Sequence, residues 1–219
     1  MKQVISNYFR SRRDNLLRGT IAQSSRRGEY LEILDVGGRV DYWRRVGFMF
    51  LQSQRVRITL LNMTEAEIGD IDGVPDFFKF AIGDARALDY ADNAFDLCHS
   101  NSVIEHVGLW RDMQAFAKEV RRVAPSYYCQ TPNYWFPIDP HFAGVPFNHW
   151  MPRPIRASLM RALPLAHSGR ATDLSEAFDY VDGARLLTGA QMSYLFPGGI
   201  LHAERVLLLP KSYTAVRLG

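Results

Sequence analysis

The chain has little cysteine and no long apolar run, its start does not read as an export signal, and each shortage argues against a class of protein. Its 219 residues hold two cysteines, Cys98 and Cys129, and no Cys-x-x-Cys pair, which excludes a disulfide scaffold and a cysteine-rich zinc site. Both lie in apolar stretches expected to be buried strands, so packing as free thiols is their expected role. The histidines lack the paired spacing of a metal site, and no metal is expected. Nothing approaches the ~18 consecutive apolar residues of a membrane-crossing helix. The start, Met1-Lys2-Gln3-Val4-Ile5-Ser6, lacks the apolar core and small-residue cleavage site of a secretory leader, so a cytoplasmic location is expected. No internal repeat or low-complexity segment is present.

Acids are also scarce at the beginning. Up to Arg27 there are seven bases (Lys2, Arg10, Arg12, Arg13, Arg18, Arg26, Arg27) against Asp14 alone; this net +6 leaves −3 for the rest of a chain whose total is +3. Such an arm, residues 1–28, suits phosphates or an acidic membrane surface. An amphipathic helix across the domain accounts for it as well, with Val4, Ile5, Tyr8, Phe9, Leu16 and Leu17 as its buried stripe. No aromatic-interleaved basic surface follows, so nucleic acid is not the expected partner.

What is present is the balance of one well-cored domain over residues 29–219, with 47% hydrophobic and 22% charged residues. Leu31-Glu32-Ile33-Leu34-Asp35-Val36 reads as a buried strand breaking into Gly37-Gly38. Adjacent glycines permit positive φ and close approach of a ligand, and a helix entered from such a turn points free N–H groups at whatever sits there. Taken alone, this is equally a plain tight turn. A helix follows from Tyr42 to Gln52, then strands at Val56–Leu61, Phe77–Ile82 and Phe95–Ser100. Leu109, Met113, Phe116, Val120 and Val123 recur at steps of four and three, a helix stripe stopped by Pro125. A fifth strand, Tyr127–Gln130, runs into Thr131-Pro132-Asn133. Strands alternating with helices predict a doubly wound, mostly parallel sheet.

Residues 131–185 change character. Seven of the eleven prolines fall between Thr131 and Pro164, among Tyr134, Trp135, Phe136, Phe142, Phe147 and Trp150. So many aromatics argue for an ordered, substrate-facing insertion, with a helix near Arg156–Leu163; the polar stretch from Ser168 to Asp182 reads as mobile. Thr188 caps a helix ended by Pro197-Gly198-Gly199. Ile200–Leu209 and Tyr213–Leu218 read as a hairpin turning at Pro210-Lys211-Ser212.

Four stations now stand in a familiar order: Ile33-Leu34-Asp35-Val36-Gly37-Gly38, Leu60-Leu61-Asn62, Gly83-Asp84-Ala85-Arg86-Ala87-Leu88, and the stretch from Phe95 through Ser100-Asn101-Ser102-Val103-Ile104-Glu105-His106 to Val107. With Gln130-Thr131-Pro132-Asn133 through Asp139-Pro140-His141, and the ending Leu195-Phe196-Pro197 with Lys211-Ser212, the chain resembles the class I S-adenosylmethionine-dependent methyltransferases, in particular the small bacterial type 11 group, over about Tyr30 to Arg217. The resemblance implies a Rossmann-like α/β fold, seven strands with the last antiparallel, and S-adenosyl-L-methionine as cofactor. It places Gly37 and Gly38 against the carboxypropyl and ribose part, and has Asp35 steady the turn or meet the cofactor amine through water. Asn62 falls at the ribose hydroxyls, Asp84 and Ala85 at the adenine edge, and Ser100 and Asn101 under the methionine moiety.

Two departures stand out. Arg39 and Asp41 occupy places where the family has glycine, and Asn62 replaces the usual ribose acid with an uncharged acceptor. Arg39 pairing with Asp41, and Tyr42-Trp43 covering the cofactor, would compensate.

Methyl transfer from a sulfonium needs in-line approach and exclusion of water; a base helps where the acceptor must lose a proton. Asp139 and His141 offer a carboxylate and an imidazole on a proline-stiffened loop where the acceptor should enter, as a catalytic pair or as a pin for the loop. Glu105 and His106 cap a helix or orient the cofactor; His149 lines the acceptor pocket or packs. The leading expectation is transfer to oxygen or nitrogen of a small-molecule or saccharide acceptor such as a glycan precursor. The rivals are a non-catalytic binding protein of the same fold and a nicotinamide-dependent oxidoreductase, which lacks its Gly-x-Gly-x-x-Gly here. The sequence leaves the oligomeric state open.

Overall fold

A computed structural model describes residues 2–24, 29–69, 71, 73–142, 145–165 and 169–219, with side chains from residue 10 onward. Seven strands form one sheet in the order β3-β2-β1-β4-β5-β7-β6. They are β1 Leu31–Val36, β2 Val56–Asn62, β3 Phe78–Ile82, β4 Leu97–Asn101, β5 Ser126–Pro132, β6 Ile200–Val206 and β7 Leu209–Arg217. The first five are mutually parallel; β7 runs antiparallel to both β5 and β6, as expected.

Period-two alternation gives the sheet two cores. Leu31, Ile33, Ile58, Leu60, Leu97 and Tyr128 face one side, under α1 (Lys2–Ser24), α2 (Val40–Val46) and α3 (Phe48–Ser53). Leu34, Val36, Cys98, Tyr127 and Cys129 face the other, under α5 (Trp110–Val123) and α8 (Gly189–Leu195). Both cysteines are free and buried, and burial raises both thiol pKa values, which suits packing and not nucleophilic chemistry.

Four details differ from the sequence reading. The helix expected over Tyr42–Gln52 is two helices, because Gly47 at φ 107° breaks the ladder between α2 and α3. The stretch expected to be mobile holds α7 (Leu174–Asp182), capped where Asp173 accepts from the Glu176 N–H at 2.9 Å. The closing hairpin turns at Leu207-Leu208, with Leu207 at φ 54°, and Pro210-Lys211-Ser212 lies inside β7. Finally, the fourth strand starts at Leu97 and not at Phe95.

The basic arm is mostly α1, docked on the sheet. Leu17 and Ile21 are fully buried, Arg45 forks onto Asp14, and Arg18 donates to the Val46 carbonyl. The side chains of Val4, Ile5, Tyr8 and Phe9, and all of Arg26 and Arg27, lie outside the described residues. The insertion after β5 is ordered around its own small core of Phe142, Ala157, Met160, Ala177 and Val181, with α6 (Arg153–Ala162) packed on α7. Among the described residues no helix is long and apolar enough to cross a membrane.

Candidate active site

Parallel strands end together, so the loops leaving β1, β2, β3 and β4 enclose a shared space beyond their carboxyl ends. There the structure has a hollow of about 420 Å³, walled by Val36, Leu61, Val103 and Val107 and edged by Gly37, Arg39, Asn62, Glu67, Asp84, Ala85, Arg86, Ser102 and His106. Gly37, Asn62, Asp84 and Ala85, the positions the family resemblance pointed to, thus lie around one hollow. Asp35, Gly38, Ser100 and Asn101 do not line it.

Alternation along β1 explains Asp35. It shares a face with Leu31 and Ile33, so its side chain points into the α2 side and is fully buried. Trp43 Nε1 donates to Oδ2 at 2.6 Å, and His99 Nδ1 lies 2.6 Å from Oδ1. A carboxylate only accepts, so the His99 proton is on Nδ1; Nε2 then accepts from the Tyr42 hydroxyl at 3.2 Å. Burial, foremost, raises the Tyr42 pKa well above the ordinary value, which keeps that hydroxyl a donor. Asp35 is therefore a buried strut beneath the turn. Tyr42 and Trp43 serve it and do not cover the hollow, and Asp41 pairs with Arg44 three residues on, not with Arg39.

The same strut explains the glycine pair. A Cβ on Gly38 would sit 1.6 Å from Asp35 Oδ2, and one on Gly37, at φ 70°, would sit 2.5 Å from a Val103 methyl. The bare backbone lets β1 and β4 close on each other. The Gly38 carbonyl accepts from the Asn62 amide at 2.9 Å, so Asn62 ties the first two loops together.

Asp84 faces the hollow with its carboxylate forked onto Arg86 at 2.7–3.0 Å, and this pairing lowers its pKa. Glu67, from the single turn α4 (Glu65–Ile68), adds a second carboxylate beside Asn62 and accepts from the Met63 N–H at 3.1 Å. The sequence reading missed Glu67 and Arg86; the only available signal was their position just after a strand end. On β4, Ser100 Oγ and Asn101 Oδ1 are buried with no hydrogen-bond partner among the described residues. They lie just inside Ser102, which turns the chain at φ 58° toward Val103.

Next to this hollow lies a cluster of acids and imidazoles. The 3-10 turn Ile104–His106 follows β4 and carries Glu105, 1% exposed, whose Oε2 accepts from Thr131 Oγ1 at 2.9 Å while Oε1 has no partner among the described residues. Burial raises the Glu105 pKa to about 7, against the opposing Thr131 bond and His141 charge. On the loop after β5, Asp139 Oδ1 accepts from both the backbone N–H and Nδ1 of His141, at 2.9 and 2.7 Å. Burial works to lower the His141 pKa, but the bond to Asp139 and its charge raise it on balance. His106 Nδ1 donates to the Gly183 carbonyl at 2.7 Å, and its pKa is lowered by burial and then by the His141 charge. The two Nε2 atoms, 35 residues apart in sequence, lie 3.1 Å apart. His149 is buried in the insertion, its Nε2 2.8 Å from the Tyr134 carbonyl.

A second cavity of about 340 Å³ opens on the other side of Asp139, lined by Tyr134, His149, Arg153, Arg156 and Arg185. Asp182 pairs with Arg153. Arg156 and Arg185 are in no ion pair among the described residues, and Arg156 Nε is buried without a hydrogen-bond partner.

Residues 50–126 match the family model described as methyltransferase domain. No protein of curated function matches the chain in sequence. Among solved structures, a protein from Pyrococcus horikoshii is 17% identical over 87% of this chain and 82% of its own, with a TM-score of 0.54. A Nostoc punctiforme protein assigned as an O-methyltransferase is 12% identical over 94% of this chain and 56% of its own, TM-score 0.53. A Rhodobacter sphaeroides protein assigned as a zinc-dependent alcohol dehydrogenase is 10% identical over 85% and 83%, TM-score 0.54. At these identities the likeness is one of fold, as the differing assignments illustrate. The chain spans about half the length of some of these relatives: 56% of the Nostoc protein and 52% of a [4+2]-cyclase, SpnF.

The domain match implies S-adenosyl-L-methionine as cofactor, and the hollow fits that group. Its apolar walls suit an adenine face, Asn62 and Glu67 offer acceptors to a diol, and Asp84 offers one to an amine.

Proposed function

We propose, from the premise that this chain carries a methyltransferase domain of the class I S-adenosylmethionine-dependent superfamily, that it transfers a methyl group to oxygen or nitrogen of a small-molecule or glycan-precursor acceptor. The observation that carries the reading is the hollow shared by the ends of β1 to β4, with His106 on its rim and the Asp139–His141 pair beyond. S-adenosyl-L-methionine bound there supplies an electrophilic methyl on a sulfonium. Gly37, Asn62, Glu67, Asp84 and Ala85 hold it in this reading. Gly38 and Asp35 shape the turn from below, and Ser100 and Asn101 support it from β4.

The acceptor enters from the second cavity, between the insertion and Asp139. Two guanidinium groups there, Arg156 and Arg185, lack a carboxylate partner, so we assign the acceptor a carboxylate or phosphate group. His141, oriented by Asp139, manages the proton that a hydroxyl or amine acceptor must lose. Calorimetry with S-adenosylhomocysteine should give saturable one-to-one binding, and its absence would sink the reading. His141→Ala should slow labelled methyl transfer by about 10²-fold or more while leaving cofactor affinity within threefold. An equal fall in both would make His141 structural.

One observation favours the non-catalytic alternative: the fork of Arg86 on Asp84, which occupies the carboxylate expected to read adenine. Under that alternative, a labelled methyl donor marks nothing in a cell extract even though the protein is folded.

A further inference from the structure

The contact between His106 and His141 poses a problem of valence. His106 Nδ1 meets the Gly183 carbonyl and His141 Nδ1 meets the Asp139 carboxylate; both partners only accept, so both Nδ1 atoms carry the ring proton. In neutral rings both Nε2 atoms are then lone pairs, and they lie 3.1 Å apart. Two lone pairs at that distance repel unless a cation serves both.

Glu105 supplies a third donor. A carboxylate oxygen of Glu105 and a nitrogen of each ring all lie within 4.8 Å of one another, and Glu105 Oε1 is buried with no hydrogen-bond partner among the described residues. Donors at about 2.1 Å from an ion are separated by about 3.0–3.4 Å at neighbouring positions, so the two nitrogens already fit, and the carboxylate oxygen moves closer to them when the ion binds.

We propose that Glu105, His106 and His141 together bind one divalent transition-metal ion at the rim of the cofactor hollow. Imidazole nitrogens with one carboxylate select the manganese-to-zinc series over magnesium and calcium, which prefer oxygen alone. The outer contacts are of the kind such sites use. Asp139 and the Gly183 carbonyl fix the tautomer and direction of each ring, and the Arg185 N–H holds the Glu105 backbone carbonyl at 2.7 Å. A proton shared between the rings answers the nitrogens and leaves Glu105 Oε1 unpaired, so the metal ion accounts for more of the geometry. Three protein ligands leave positions open, and because His106 also lines the hollow the ion stands at its edge. An ion there would orient and acidify an acceptor hydroxyl or amine, with His141 as its ligand instead of as a bare base.

The proposal rests on the methyltransferase reading for what the ion does, but not for whether it binds. The test therefore uses untagged full-length protein without cofactor, titrated with zinc and manganese chlorides by calorimetry and with cobalt(II) by visible absorption. Wild type should bind one ion per chain with micromolar or tighter affinity. His106→Ala and His141→Ala should each weaken binding at least 100-fold, and Glu105→Gln at least tenfold. Asp139→Asn, which touches no ion, should weaken it 10- to 100-fold through His141. His202→Ala on β6 should change nothing, and circular dichroism identifies any variant that is unfolded. Absence of one-to-one binding in wild type, or folded Glu105→Gln and His141→Ala proteins that bind as tightly as wild type, would overturn the proposal. S-adenosylhomocysteine binding by chelator-treated protein is measured separately, so loss of the metal site and loss of the cofactor site give different results.

Discussion

The hollow at the strand ends and the acid–imidazole cluster share a rim and are built in opposite ways. The hollow draws on strand ends whose positions follow from sheet register: Ile33 stands beside both Ile58 and Leu97, and the loops beyond open together. The cluster draws on a turn after β4, a loop after β5 and the backbone at Gly183, 77 residues from His106. Its geometry depends on how the insertion folds back, and the insertion has a core of its own. The hollow therefore inherits the stability of the central sheet, whereas the cluster depends on a smaller and separable packing unit.

That contrast can be broken from either side. The largest effect is expected at Gly38→Ala, where the added methyl overlaps the Asp35 carboxylate that Trp43 and His99 hold in place. Overpacking at a site that cannot relax should cost about 3 kcal/mol or more, with loss of cofactor binding, as denaturant melts and calorimetry would report. Met160→Ala strikes the other unit. This fully buried side chain centres the insertion core, and its truncation should cost about 2–3 kcal/mol. Hydrogen exchange should show faster opening around 153–187, and the cofactor affinity should stay within threefold. Equal losses in the hollow would show that the two regions are one cooperative unit.

Smaller changes sharpen the contrast. Glu67→Gln keeps the shape beside Asn62 and removes the charge, so S-adenosylhomocysteine affinity should fall about tenfold, or about 1.4 kcal/mol. An unchanged affinity would return the ribose to Asn62 alone. Glu119 ties the loop after β3 to α5, accepting from the Leu88 N–H and from Arg122, and the Arg122 bond in the first place lowers its pKa. A lowered carboxylate pKa gives stability that is present above the unfolded value and lost as pH falls through the folded one. Glu119→Gln should thus cost about 1 kcal/mol at pH 7, and the gap to wild type should narrow as pH falls below the ordinary glutamate range and close as Glu119 itself becomes protonated in the folded state.

The residues that were legible from sequence are those placed by strand ends. The strand ends were legible because hydrophobic runs mark where strands stop, and the Gly37-Gly38 turn could be read there directly; Asn62, Asp84 and Ala85 were placed in the same crevice by the family resemblance. Asp35 carried a readable signal that competed with the family pattern: it shares parity with Leu31 and Ile33, so it points to their face of the sheet and away from that of Leu34 and Val36. Asp41 likewise had Arg44 at helical spacing. The Gly47 break between α2 and α3 was visible only as an isolated glycine, which helices also tolerate. The α7 helix was hidden by its polar face, since a helix packed against a small core needs only a narrow apolar stripe.

The sequence by itself determined the sheet, its two cores and the crevice, because alternation and strand termini are local properties that register then multiplies. Only the tertiary structure decided that Glu105, His106 and His141 converge, since closing loops of 35 and 77 residues leaves no local trace in composition or spacing. It also decided that Gly37 yields to Val103, brought from beyond β4, and that Gly38 yields to an Asp35 carboxylate which Trp43 and His99, from other elements, hold in place.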